Sequence, residues 1–237
     1  MTGEEALAAI AALGDPERAA GSAAYHKTTR PYLGVRVPDL TELAKGWRIG
    51  LSVPERVDLA SALWKSNIHE ARVAAAKLLV QARIAGDGPV WDFFLRCVPD
   101  FDGWSIADHM SDAAARRLVA DPARVAELEP WVRSPHLWTR RAALVTTLPW
   151  TKQNHPKPGD LQIRDRVLGW AAELADDREW FIQKAIAWWL RELSHHDPDR
   201  TRAWLATHGH RLKPFARKEA ARHLSQAPAL VAPQQQV

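Results

Sequence analysis

The sequence has little cysteine, few runs that favour strands and no long apolar stretch. Each shortage excludes something. A single cysteine, Cys97, rules out an internal disulfide and any zinc site built from several cysteines. No apolar run approaches the ~20 residues that a helix needs to cross a bilayer. The opening residues, MTGEEALAAIAALGD, are acidic where a signal peptide would be basic. Thr2 and Glu5 stand there at capping-box spacing, so this stretch predicts a short helix, and a cytoplasmic address is expected. Neither GxxxxGK[ST] nor GxGxxG nor HExxH occurs, which removes the usual signatures of nucleotide, dinucleotide and zinc-protease chemistry. No cofactor and no metal is expected.

What is present is 237 residues, enough for a sizeable core. The net charge of +4 is modest, but its distribution is uneven. Residues 1–132 hold 15 Lys/Arg against 18 Asp/Glu, whereas residues 133–223 hold 17 against 10. A cationic C-terminal half suits a polyanionic partner, nucleic acid first. A solvated, arginine-rich surface would give the same count.

Alanine, leucine and arginine dominate, and these favour helix. Ser52–Glu55 is a second capping box, and Asp121-Pro, Asp197-Pro and Lys213-Pro mark further helix starts. About a dozen helices joined by short loops are expected. Segments echo one another: EARVAAAKLL from Glu70, WTRRAALVTTL from Trp138, FIQKAIAWWL from Phe181 and FARKEAARHL from Phe215. Their second residues, Ala71, Thr139, Ile182 and Ala216, are separated by 68, 43 and 34 positions. The first step is twice 34, with its midpoint at Ser105 in WSIADHMSDA, and the extra nine residues of the second are assigned to the loop Thr151–Gly159. Such a period predicts an all-α stack of two-helix units, a solenoid with a concave face. Residues 1–225 are read as one domain and 226–237, rich in Ala, Pro and Gln, as a frayed tail.

The segment EWFIQKAIAWWLREL, Glu179–Leu193, carries three tryptophans among cations. On a helical wheel Ile182, Ala185, Ile186, Trp189 and Leu193 form a core stripe. Trp180, Lys184, Trp188 and Arg191 fall opposite. On Gly103–Ala113, Trp104 and Asp108 stand four apart on the side away from Ile106, Met110 and Ala113. In the repeat alignment Trp104, Trp138, Phe181 and Phe215 share one column, and Arg141, Lys184 and Lys218 another. A face repeating aromatic and cation could track a phosphate backbone. It could equally pack on the next unit.

Four stretches resemble the DNA alkylation repair family of the AlkD type, bacterial DNA glycosylases built from HEAT-like repeats: AYHKTTRPYLGV at Ala24–Val35, DGWSIADHM at Asp102–Met110, SPHLWTRRAAL at Ser134–Leu144 and EWFIQKAIAWWLRE at Glu179–Glu192. The resemblance runs from about Ala23 to His223. It implies a glycosylase acting on double-stranded DNA that carries N3- or N7-alkylated purines, bulky adducts included, as a monomer in the bacterial cytosol. It makes Asp108 the catalytic carboxylate, Trp104 and Trp188 aromatic walls beside the lesion, Arg141 a phosphate-side cation and Tyr25 a further cleft aromatic. Lys184, Arg191, Arg217 and Lys218 become DNA-facing cations. Gly103 and Ser105 depart from the family, whose members often place an aromatic and an acid around that tryptophan.

The implied chemistry is economical. An alkylated purine is positively charged and leaves as a neutral base, so one carboxylate that stabilises the departing sugar cation and aromatic faces beside it suffice. Two rivals stay open: a helical-repeat scaffold without chemistry, and a non-catalytic DNA-binding protein. Other candidates are poor. His195 and His196 are adjacent at a predicted helix end, Cys97 follows an apolar run and reads as core, and Asp100 and Asp102 read as solvated loop carboxylates.

Overall fold

In a computed structural model that describes residues 1–224, twelve α-helices and five short 3-10 segments account for the regular structure, with no strand among the described residues. The expected tail from residue 226 lies outside the described residues. The helices are α1 (Gly3–Ala11), α2 (Pro16–His26), α3 (Val37–Gly50), α4 (Val53–Lys65), α5 (His69–Leu79) and α6 (Gly88–Cys97). They continue as α7 (Trp104–Ala120), α8 (Leu137–Val145), α9 (Pro158–Glu173), α10 (Trp180–Ser194), α11 (Pro198–His208) and α12 (Pro214–Ala220). No described helix is long and apolar enough to cross a membrane.

The predicted starts hold. Thr2 and Ser52 form both arms of their capping boxes, and the Asp197 side chain accepts from Arg200 N–H. After Asp121 the chain winds into a 3-10 run, Pro122–Arg133, instead of an α-helix. Pro130 lies inside that run, where it cannot donate a backbone hydrogen bond and would crowd an α-helical turn. The insertion between repeats lies after α8: a 3-10 turn, Leu148–Lys152, and an extended stretch lead to α9.

One row of helices, α3, α5, α7, α8, α10 and α12, packs each member on the next. A second row, α4, α6, residues 122–133, α9 and α11, backs it. This is the all-α stack of two-helix units that the 34-residue period predicts. A continuous core runs between the rows, with Trp150, Trp170 and Trp189 fully buried. The Trp189 indole N–H donates to Thr147 Oγ1 at 3.2 Å, which ties α10 to the end of α8.

The N-terminal helices cap the stack. Gly34 has φ +75°, and a Cβ there would stand 2.2 Å from the Asp15 carbonyl and 2.6 Å from Ala19 N. The start of α2 therefore rests directly on this backbone. Buried Glu70 accepts from the N–H groups of Leu33 and Gly34 at 2.9 and 2.7 Å, holding the turn on α5. At the other end of α2, Tyr25 and His26 lie against the Trp104 ring at the start of α7.

Candidate active site

Helix α7 begins at Trp104, directly after the extended Gly103. Ile106, Met110, Ala113 and Ala114 are buried in the core, so Trp104 and Asp108 emerge together on the other side, both half-buried. From α8, Arg141 reaches the carboxylate in a fork: Nε donates to Asp108 Oδ1 at 2.8 Å and Nη2 to Oδ2 at 2.7 Å. Its Nη1 donates to the Phe181 carbonyl at the start of α10, also at 2.8 Å. Three consecutive helices of one row are thus joined through a single guanidinium.

The Arg141 side chain is 6% exposed and its donors are directed at Asp108 and Phe181, and it also lines the cleft formed by Trp104 and Trp188. Arg191 lines the same cleft; it is half-buried and ion-paired with Glu219 and, at 2.9 Å, with Glu192. Most arginines of the cationic half are bridged to carboxylates of neighbouring units, Arg140 to Asp177, Arg164 to Asp197 and Arg211 to Asp176 among them. These bridges draw mostly on acids of the same half, so its excess of seven cations over acids (17 against 10) remains. Lys184, Arg217 and Lys218 carry no carboxylate partner among the described residues and are exposed.

A cleft of about 700 Å³ is walled by Tyr25, Trp104, Trp180, Lys184, Trp188 and Phe215. Tyr25, 70% exposed, meets the Trp104 ring edge-on at 6.1 Å. Trp180 packs on Phe215 with ring centroids 3.9 Å apart, and Lys184 Nζ lies 5.8 Å from the Trp180 ring. Trp180 is therefore a cleft wall, as is Phe215, which the repeat alignment places in the aromatic column but which carried no expectation of its own. Arg217 and Lys218 lie elsewhere, beside a shallower hollow around His210 and Pro214. Asp108 borders an adjoining cavity of about 440 Å³, and Trp188 is a wall of both.

Beneath Trp104 lies a group of rings that nothing in the local pattern announces. The His26 ring is 5.3 Å from Trp104 and 4.7 Å from His69, and His69 is 4.7 Å from Tyr32. Tyr32 Oη is 2.7 Å from Thr28 Oγ1, and Ser105 Oγ is 3.4 Å from His69 Nε2. Burial is the first cause that pushes the His69 imidazole down to about 3 and His109, next to Asp108, to about 4; His26 is lowered for the same reason. The rings are therefore neutral at physiological pH, and they support the Trp104 indole from below. Ser105, a departure from the family pattern, belongs to this group.

The remaining sequence candidates resolve simply. Cys97 is buried, and burial raises its thiol far above the usual range. His195 caps α10, His196 Nδ1 meets Asn154 Oδ1 at 2.6 Å, and no metal-binding group occurs among the described residues. Asp100 and Asp102 are not idle loop acids. Asp100 accepts from the Trp64 indole at 2.9 Å, and Asp102 pairs with buried Arg30 at 2.5 Å, pinning the loop ahead of Trp104.

Comparison with known proteins agrees with this architecture. A structure described as a predicted DNA alkylation repair enzyme from Enterococcus faecalis superposes with a TM-score of 0.75 at 22% identity, covering 90% of this chain and 98% of that one. AlkD2 from Streptococcus mutans superposes with a TM-score of 0.61 at 18% identity, covering 81% and 91%. At these identities the likeness is one of fold. A comparison with curated proteins finds no match. The family model described as DNA alkylation repair enzyme matches residues 6–224, nearly the whole chain, and the chain belongs to that family.

Proposed function

We propose that the protein is a DNA glycosylase that hydrolyses the N-glycosidic bond of positively charged N3- or N7-alkylated purines in duplex DNA, acting as a monomer in the bacterial cytosol at the start of base excision repair. The observation that carries this reading is the Asp108 carboxylate, held in a fork by Arg141 and set against Trp188 at the join of two cavities.

As the C1′–N bond breaks, its electron pair neutralises the cationic base, and positive charge develops on the sugar. Asp108 supplies the fixed negative charge that stabilises this cation. A water adds to C1′ and releases its proton to Asp108 or to solvent. Arg141 fixes the carboxylate plane and leaves lone-pair directions free on both oxygens. Trp104 and Trp188 offer indole faces to the sugar and the charged base. The aromatic cleft has room for substituents much larger than methyl. Lys184 is a free cation for the backbone, while Arg217 and Lys218 are reserved for flanking duplex.

A second reading has one observation in its favour. Both Asp108 oxygens are engaged by Arg141, as in an ordinary ion pair between repeats, which would suit a DNA-binding protein without chemistry. The deciding assay is release of free base from duplex containing N7-methylguanine, run with wild type, Asp108→Asn and a spontaneous-depurination control. Release by wild type that falls ~100-fold or more in the variant supports the glycosylase. No release above background from this lesion, from N3-methyladenine or from a bulky purine adduct favours the binding protein.

A further inference from the structure

The cavities of this molecule form a chain. The aromatic cleft shares Trp188 with the Asp108 cavity. The Asp108 cavity in turn shares Arg116 and Pro149 with a third, of about 820 Å³, bordered by Arg83, Ile84 and Val119. A trough therefore continues beyond the proposed catalytic carboxylate, along the C-terminal half of α7 to the loop after α5.

Its rim is cationic. Arg83, Arg116 and Lys152 are exposed, and none pairs with a carboxylate among the described residues. Neighbouring arginines behave differently: Arg117 and Arg124 both bridge to Asp87. The acid facing this part of the trough besides Asp108 is Asp112, which stands four residues before Arg116 without bridging to it. Between the cations lie uncovered apolar groups, Ile84, Pro149 and Val119, the last 51% exposed. A sugar–phosphate backbone has the complementary pattern, charged phosphates separated by apolar sugar faces.

We propose that Arg83, Arg116 and Lys152 form a second phosphate-contact site for duplex DNA, on the far side of Trp188 from the aromatic cleft. The inference rests on the reading of the chain as a protein that acts on duplex DNA. The site contacts backbone beyond the lesion, so it contributes affinity irrespective of sequence and has no part in the bond-breaking step.

The test is the binding of an undamaged duplex to the full chain, followed by fluorescence anisotropy across a salt series. In Arg83→Gln/Arg116→Gln/Lys152→Gln the slope of log affinity against log salt is expected to flatten by about 0.9 per lost contact, and affinity at 0.1 M salt to fall roughly five- to tenfold per contact. Arg116→Gln alone should flatten it by about 0.9, which keeps the test available if the triple variant folds poorly. Arg96→Gln, an exposed arginine of the other helix row, should keep the wild-type slope and serves as control. A wild-type slope in the Arg116 variant and in a folded triple variant would overturn the proposal, as would an equal loss in the control. The two readings fail separately. Wild type that binds duplex through these cations but releases no base removes the glycosylase and keeps the site. Wild type that releases base while the variants bind normally removes the site and keeps the glycosylase.

Discussion

A double-mutant cycle on Asp108 and Arg141 separates structural weight from chemical role. Asp108→Asn keeps the shape of the side chain and removes its charge. The Arg141 guanidinium, 6% exposed, then keeps one well-matched acceptor, the Phe181 carbonyl. The new amide can accept from one of the two remaining N–H groups and turns its own N–H toward the other. Stranding one member of a fully buried pair costs about 3–5 kcal/mol. Asp108 is 19% exposed, so water relieves part of this. A loss of ~2 kcal/mol is expected, or about 4–8 °C in melting temperature for a chain of this size. Arg141→Gln should cost a similar amount by leaving the carboxylate alone. In the double variant no charge is stranded and the two amides can pair, so a coupling of about 1–2 kcal/mol should return. Activity should not return with it. Base release falls roughly 100-fold or more in Asp108→Asn and stays down in the double variant, because the carboxylate itself is missing. Thermal melts by circular dichroism and single-turnover base release read the two quantities independently. A double variant that regained both stability and base release would refute the assignment of Asp108 as the catalytic carboxylate.

Gly34→Ala forces a Cβ to within 2.2 Å of the Asp15 carbonyl at φ +75°, so it should cost more than ~1 kcal/mol and loosen α2; hydrogen exchange should rise across Pro16–His26, and unchanged protection there would contradict that close contact. Glu219→Gln should release Arg191 from one of its two carboxylates and steepen the salt dependence of duplex binding by up to about one phosphate contact, an effect absent if Arg191 never reaches DNA. Stability should also fall in acid. The folded pKa of His69 is pushed down to about 3 and that of His109 to about 4, below the unfolded value near 6.5. The neutral rings therefore contribute stability fully above about pH 6.5, and it is lost as pH falls toward 4 and then 3. Melts between pH 7 and 4 test this, and His69→Phe should weaken the dependence.

The fold was legible because the sequence states it several times over. Repeated segments, capping boxes at Thr2 and Ser52 and the core stripe around Trp189 each point to stacked helices, and each is local or periodic. The pairing of side chains across units was not legible in the same way. Partners lie about one repeat apart: Arg124 with Asp87 at 37 residues, Arg140 with Asp177 at 37, Arg164 with Asp197 at 33, and Arg141 with Asp108 at 33. Placing Arg141 and Lys184 in one column treats them as equivalent, yet Arg141 bridges the carboxylate a repeat away, whereas Glu219, a repeat beyond Lys184, is taken by Arg191 and Arg222. Repeat distance alone offers Arg141 both Asp108, 33 residues before it, and Asp177, 36 residues after it, so it does not decide the pairing. Nor does it single out Asp108. The Asp108 side chain is 19% exposed, close to Asp177 at 17% and Asp197 at 22%, and each is bridged by an arginine of the neighbouring unit. Neither charge nor burial distinguishes the proposed catalytic carboxylate from its structural relatives. Its surroundings do: Trp188 at the join of two cavities, Trp104 one turn before it, and a backing of neutral imidazoles. That environment is assembled from α2, α5, α7, α8 and α10, so only the folded chain brings it together.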